Sequence, residues 1–341
     1  VDAAEHPVRK ALVTTVDNDR PRRLRVGRTL GDRVFRGTAR GFGIAVLIIM
    51  GGIGVFLAIE AAPAFREFGW DFFTTVEWNP QSGVIGIAAV LVGTITVALV
   101  AMTIAFPLAL GTALHISEYA APKAKRWLIA MIDLMASVPS VIYGLVGAYL
   151  LQPEMVYVSR WIHDMLGWIP IFAVDTDPDA AVFAQSRYTA SALIAAIVVA
   201  MMVLPYACMV MREVFDQAPQ GEREAAYALG STRWGMIRSV VLPFGRGGIV
   251  GGTMLALGRA LGETIAVVLI IAPLFEVKVR ILENGTITIP SLIATRYGES
   301  VGIQLAALLA AGLVLFLITL VTNSIAAVIV TRGRSGAESE I

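Results

Sequence analysis

Six stretches of this chain are long and apolar enough to cross a bilayer, and no other feature restricts its fold so strongly. Hydrocarbon offers backbone amides no partner, so a spanning segment satisfies its own as a helix of about 20 apolar residues. By that rule the spans are predicted at 41–60, 86–114, 127–151, 188–211, 247–272 and 303–330. The second and sixth exceed what a bilayer needs and are expected to tilt or extend beyond it. Residues 41–330 then form one membrane domain, with a basic tail at 1–40 and a short tail at 331–341. The expected class is an all-α polytopic membrane protein. Composition agrees: 57% of residues are apolar and 16% charged, where soluble domains carry about 25% charge. The apolar run 42–59 is longer than the roughly 7–15 residues of a secretory leader, so it reads as a retained first span.

Charge placement sets the expected orientation. The tail has eight arginines between Arg20 and Arg40. The second connection carries Lys123, Lys125 and Arg126, and the fourth Arg212, Arg223, Arg233, Arg238 and Arg246. The first and third are acidic and contain Trp70, Trp78, Trp161 and Trp168. Both termini are therefore expected on the cytoplasmic side of a plasma (inner) cell membrane. The tryptophans read as interfacial anchors or as a docking surface for an external partner. Basic residues flank spans rather than line one face, which argues against a nucleic-acid partner. "DTDPDA" at 175–180 lacks the glycine and glutamate of a calcium loop, so no metal site is expected. The one cysteine, Cys208, lies in an apolar stretch and reads as a buried hydrophobe.

The fourth connection, "REVFDQAPQGEREAAYALGSTRWGMIRSVVLPFGRGG", is too rich in helix formers for a linker. A helix is predicted after Pro219, ending at Gly230. A second, capped by Ser231, is expected over 232–241, with Pro243 stopping it. Two short helices meeting at a glycine, within 215–245, make an elbow suited to a partner's cleft.

This stretch resembles the coupling motif of ATP-binding-cassette importer permeases. The matching residues are Glu224, Ala225, Ala226, Gly230, Leu242 and Pro243, with Val240 where the pattern has isoleucine. "EWNPQSGVIGI", "ISEYAAP", "SVPSVIYGLVG", "MVLPYA" and "GRALGETIAV" further resemble the phosphate-specific branch of that family. The resemblance implies a six-span permease working with a second, similar permease, two copies of a cytoplasmic ATPase, and an extracytoplasmic phosphate-binding protein. It implies phosphate as substrate. ATP and Mg would sit on the ATPase, with no cofactor on this chain; no Gly-Lys pair occurs anywhere in the sequence to form a nucleotide loop. A permease for another oxyanion (sulfate, molybdate or tungstate) and an ion-coupled secondary transporter are the alternatives. The latter leaves the elbow without a purpose.

Arg259 and Glu263 stand four apart inside the predicted fifth span, where one helix face would carry both. An intramembrane charge is costly, so the two either neutralise each other or mark a path for a charged substrate. Arginine offers a fork of donors to an anion, and a carboxylate can accept from a phosphate P–OH. Glycines 247, 248, 251, 252, 258 and 262 let this helix approach its neighbours. In "SVPSVIYG" Pro139 is expected to kink the third span, with Ser137 and Ser140 lining the path or satisfying the freed backbone. Asp133, one turn earlier, either lines the path or neutralises Arg259.

Overall fold

The computed structural model describes residues 30–174 and 186–334. The stretch 175–180, considered for calcium, lies outside them, as do the tail arginines before residue 30. Among the described residues, six helices are long and apolar enough to span a membrane: Leu30–Phe68, Ala88–Tyr119, Ser140–Leu166, Ala192–Asp216, Arg233–Leu261 and Ile303–Val330. The expected all-α, six-span architecture is therefore found.

The first helix, α1 (Leu30–Phe68), has 39 residues. That is about 58 Å at 1.5 Å per residue, well beyond a hydrocarbon core of about 30 Å. Of the described residues, 30–53 belong to one unit and those from Gly54 onward to another. Within the second unit, Ala61 and Ala64 are fully buried and Phe65 stacks on Phe73.

A short ribbon follows, pairing β1 (Trp78–Asn79) with β2 (Val84–Ile85). Trp78 is not an interfacial anchor: it is buried and stacks on Phe275. Trp70, Trp161 and Trp168 remain exposed.

The core is built on small side chains. Helix α2 (Ala88–Leu114) buries Ala98, Ala101, Ala105, Ala109 and Ala113, a stripe three to four residues apart. It packs on α6 (Ala192–Asp216), the most buried span. Between them come α3 (Pro122–Ser137), α4 (Ser140–Val146) and α5 (Gln152–Leu166), the last two joined by a π turn. After α6 come α7 (Gln220–Ala228), α8 (Arg233–Met236), a π turn, and α9 (Leu242–Leu261). Then come α10 (Ile265–Val268), α11 (Ile289–Arg296) and α12 (Ile303–Arg334).

Gly245, Gly248 and Gly252 put the backbone of α9 against α6. A Cβ at Gly248 would lie 2.5 Å from Val214, and one at Gly252 3.0 Å from the Ala207 carbonyl. Gly251 meets open space. Cys208 is fully buried in this packing, as expected.

Three expectations about spans are corrected. Residues 127–151 are not one span, because α3 ends at Ser137 and α4 starts afresh at Ser140. Residues 247–272 are likewise divided, since α9 ends at Leu261 and α10 begins at Ile265. Conversely, Pro243 does not stop a helix. The π turn Ile237–Val241 leads directly into α9, and Pro243 sits in the first turn of that helix. A proline that lacks its N–H is tolerated where the hydrogen-bond ladder is already shifted.

Candidate functional site: a split membrane centre and an elbow

The two breaks adjoin. Helix α10 packs on α4 so closely that a Cβ on Gly144 would stand 2.8 Å from the Ala266 Cα. The break after α3 leaves carbonyls without helical partners. Two tyrosines reach this helix end: Tyr206 Oη donates to the Ala136 carbonyl at 2.7 Å, and Tyr143 Oη to the Met135 carbonyl at 2.8 Å, which the Val138 N–H also reaches at 3.3 Å. Ser137 Oγ donates to the Leu134 carbonyl at 2.7 Å, the backbone-satisfying role. The Ser140 hydroxyl makes no hydrogen bond among the described residues.

Arg259 lies in the last turn of α9, where a cation is favoured by the helix dipole. Its guanidinium sits 4.5 Å above the ring centroid of Tyr206, a cation–π contact. Its Nε is buried with no partner among the described residues. Glu263 is not on that helix at all. It lies past the Gly262 cap, is 8% exposed, and its Oε1 accepts the Ala266 N–H at 3.2 Å, capping α10. No ion pair joins Arg259 to Glu263 among the described residues, so the expected shared helical face is corrected: the helix ends between them. Asp133 is exposed on α3 and pairs with neither Arg259 nor any other cation there.

Tyr206 therefore gathers the centre. Its hydroxyl holds the end of α3 next to Ser137, and its ring carries Arg259. Sequence reading missed it, although it stands inside the quoted "MVLPYA"; a tyrosine in an apolar helix gives no signal until its hydroxyl's partner is known. Arg259 and the helix end beside Ser137 thus meet through Tyr206, while α10, capped by Glu263, packs on α4, which begins at Ser140. The arrangement offers an unpaired guanidinium and irregular backbone, which membranes tolerate only where buried in protein or lining a wet cavity. Around it, Met131, Leu134, Ile142, Leu145, Ile265 and Leu269 are exposed apolar side chains.

The elbow forms by local rules. Gly230 has φ +82°. The Gly230 N–H bonds the Tyr227 carbonyl at 2.9 Å and the Ser231 N–H the Ala226 carbonyl at 3.1 Å, the paired closure of a Schellman cap. The next helix is capped by Thr232, not Ser231: Thr232 Oγ1 accepts the Gly235 N–H at 3.1 Å. Nothing approaches a Cβ at Gly230, and Leu229 beside it is 88% exposed. Glu224, Ala225 and Pro243 are exposed; Ala226 and Leu242 are half-buried against the core.

Sequence reading also missed what holds the elbow. Glu118, in the π turn His115–Tyr119 closing α2, is 3% exposed at its side chain and pairs with Arg223 at 3.0 Å. Removing one partner of such a buried pair typically costs about 3–5 kcal/mol. Its signal was a carboxylate in "ISEYAAP", at the end of an apolar run.

A family described as "Binding-protein-dependent transport system inner membrane component" matches residues 105–335. A "Phosphate transport system permease protein PstC" of Mesorhizobium japonicum is 36% identical, over 90% of this chain and 93% of its own. A protein of the same name from Xylella fastidiosa is 37% identical over 84% and 86%. "Phosphate transport system permease protein PstC 2" of Mycobacterium tuberculosis is 34% identical over 94% and 96%. In fold, a chain of a bacterial ABC transporter involved in alginate import superposes with a TM-score of 0.51 at 19% identity, covering 88% of this chain and 99% of that one.

Proposed function

The chain belongs to the family of binding-protein-dependent transport system inner membrane components, and on that premise we propose that it is a permease subunit of an ATP-driven phosphate importer. The exposed Schellman elbow over the Glu224–Pro243 motif carries this reading, because an ATPase on another chain needs a protruding, defined surface to push. The relatives named as phosphate transport permeases support the substrate.

In this reading the exposed apolar face around the split centre is covered by a second, homologous permease, and the path runs between the two. Arg259 meets the phosphate through its open guanidinium face. Glu263 fixes the turn beside it by capping α10, and Ser140 offers a free hydroxyl. A phosphate-binding protein delivers substrate from outside. A dimer of ATPases, holding ATP and Mg²⁺, grips the elbow from the cytoplasm, and both termini lie on that side.

Purifying the chain with its ATPase and sister permease tests the whole reading. The expected result is ATP hydrolysis that rises when phosphate-loaded binding protein is added. Stimulation by sulfate instead would move the substrate to another oxyanion. For orientation, a Thr176→Cys chain lacking Cys208 should react with an impermeant thiol reagent in intact cells; labelling only after the membrane is opened reverses the topology.

A further inference from the structure

The coupling motif does not explain why the elbow carries Arg223, nor why a carboxylate is buried at the end of α2. The two belong together. Glu118 Oε2 accepts from Arg223 Nη1 at 3.0 Å, while Arg223 Nη2 donates to the Phe215 carbonyl at 2.6 Å near the end of α6. One guanidinium thus ties the elbow helix α7 to both α2 and α6, which pack on each other in the core.

The surroundings reinforce this link. Ser117 Oγ lies 2.9 Å from Glu118 Oε1 and from Asp216 Oδ1, and gives its single proton to either. Lys125 Nζ is 2.7 Å from Asp216, and Arg212 3.7 Å from its other oxygen. Arg233, past the elbow, lies over the Tyr119 ring at 4.9 Å.

We propose that the Glu118–Arg223 pair is the joint that transmits elbow displacement to the membrane spans, making α7, α2 and α6 move as one body. This rests on reading the elbow as the ATPase dock. The physical argument is stiffness. Between α6 and α7 the chain is only a short turn around Pro219, and the tip at Gly230 touches nothing. The other arm runs through the buried Met236 and Ile237 straight into α9, so without a second attachment α7 would swing with α9 and leave α2 and α6 behind. A planar guanidinium held by two partners, one of them nearly fully buried, resists that swing, whereas a solvated ion pair exchanges partners freely. Glu118 is thus a positioning residue acting through Arg223, and it touches no substrate.

The test uses the full complex with sister permease, ATPase and binding protein. Glu118→Ala is expected to co-purify with the ATPase and keep basal hydrolysis, yet lose at least ten-fold in both phosphate uptake and stimulated hydrolysis. Glu118→Gln, an isostere that still accepts from Arg223, should lose only a few-fold, and it carries the test should the alanine chain fail to assemble. The decisive variant is Glu118→Cys with Arg223→Cys in a Cys208→Ala chain. Uncrosslinked it should be uncoupled, and a short bifunctional thiol reagent should restore stimulation. Stimulation that stays in proportion to assembled complex in every variant, with no gain on cross-linking, would overturn the joint. A separate chain, Leu229→Asp, tests the dock itself. If the ATPase still co-purifies normally with it, the elbow reading fails, whatever Glu118 does.

Discussion

The elbow and the split membrane centre are both places where a helix ends and another begins, yet they are built on opposite principles. At the elbow the turn closes on itself: Gly230 takes the left-handed conformation, and the hydrogen bonds run between residues three to five apart. At the breaks after Ser137 and Leu261, local bonds such as Val138 N–H to Met135 and Glu263 N–H to Ala260 are supplemented by partners from other helices or from beyond the helix end. Tyr206 reaches 70 residues back to Ala136, and Glu263 caps the next helix rather than its own. A self-closing turn can protrude and be handled by a partner. A turn closed by its neighbours changes only when they move, which suits a gate.

The sharpest way to break this contrast is to neutralise the centre. In the double variant Arg259→Gln with Glu263→Gln, polar side chains remain but both charges go. If Arg259 meets the anion, the complex should assemble, by co-purification with the ATPase, and import phosphate at least 100-fold more slowly. Arg259→Lys keeps the charge without the fork and should recover only part of the rate. Near-normal uptake by the double variant would reduce Arg259 to a helix-end cation.

The elbow should respond differently. Gly230→Trp strains a left-handed position, by about 1–2 kcal/mol, and adds bulk where nothing touches the glycine. The chain should fold and insert, while uptake falls at least ten-fold because the ATPase no longer seats. Gly230→Ala carries the strain without the bulk and should lose much less. Equal losses would mean that conformation, not docking, is what the position demands.

These two regions also differ in how much the sequence disclosed. The elbow was legible nearly whole, because its rules are local: a helix-forming run, a glycine at the end, an oxygen-bearing cap, a spaced motif. Only two details moved. The cap is Thr232 rather than its neighbour Ser231, and Pro243 begins a helix because a π turn precedes it. The number of spans was legible for the same reason, since hydropathy is additive along the chain, although the third and fifth lie at Ser140–Leu166 and Arg233–Leu261 rather than where they were predicted. The breaks were not. Pro139 signalled a kink, but a complete break needs Tyr143 and Tyr206 to take the freed carbonyls, and those partners come from tertiary packing. Gly262 and Glu263 looked like helix interior because their neighbours are apolar. Glu118 was invisible as a joint because its partner is 105 residues away.

Smaller effects sharpen the gate half of the comparison. Tyr206→Phe keeps the ring under Arg259 but strands the Ala136 carbonyl, at a cost of about 1–3 kcal/mol if it stays buried. Thermal stability of the purified complex should drop, and uptake should fall several-fold, because the end of α3 is released beside Ser137. Unchanged stability and uptake would mean that water replaces the hydroxyl and that the tyrosine matters only as a platform.

The finest distinction lies between the two serines. Ser137 donates to Leu134 within its own helix, so Ser137→Ala removes one exposed local bond and should leave uptake within about two-fold, in line with a net bond value of about 1 kcal/mol. The Ser140 hydroxyl makes no bond among the described residues, and Ser140 stands at the start of α4, next to the break. If it hydrogen-bonds phosphate in transit, Ser140→Ala should slow uptake several-fold with no loss of thermal stability, whereas Ser137→Ala should show the reverse balance. Uptake and melting temperature measured on both chains separate the roles, because a residue that serves the backbone affects stability first and a residue that serves the substrate affects rate first. Identical behaviour of the two variants would place the path away from this break, and Arg259 would then have to act from the α9 side alone.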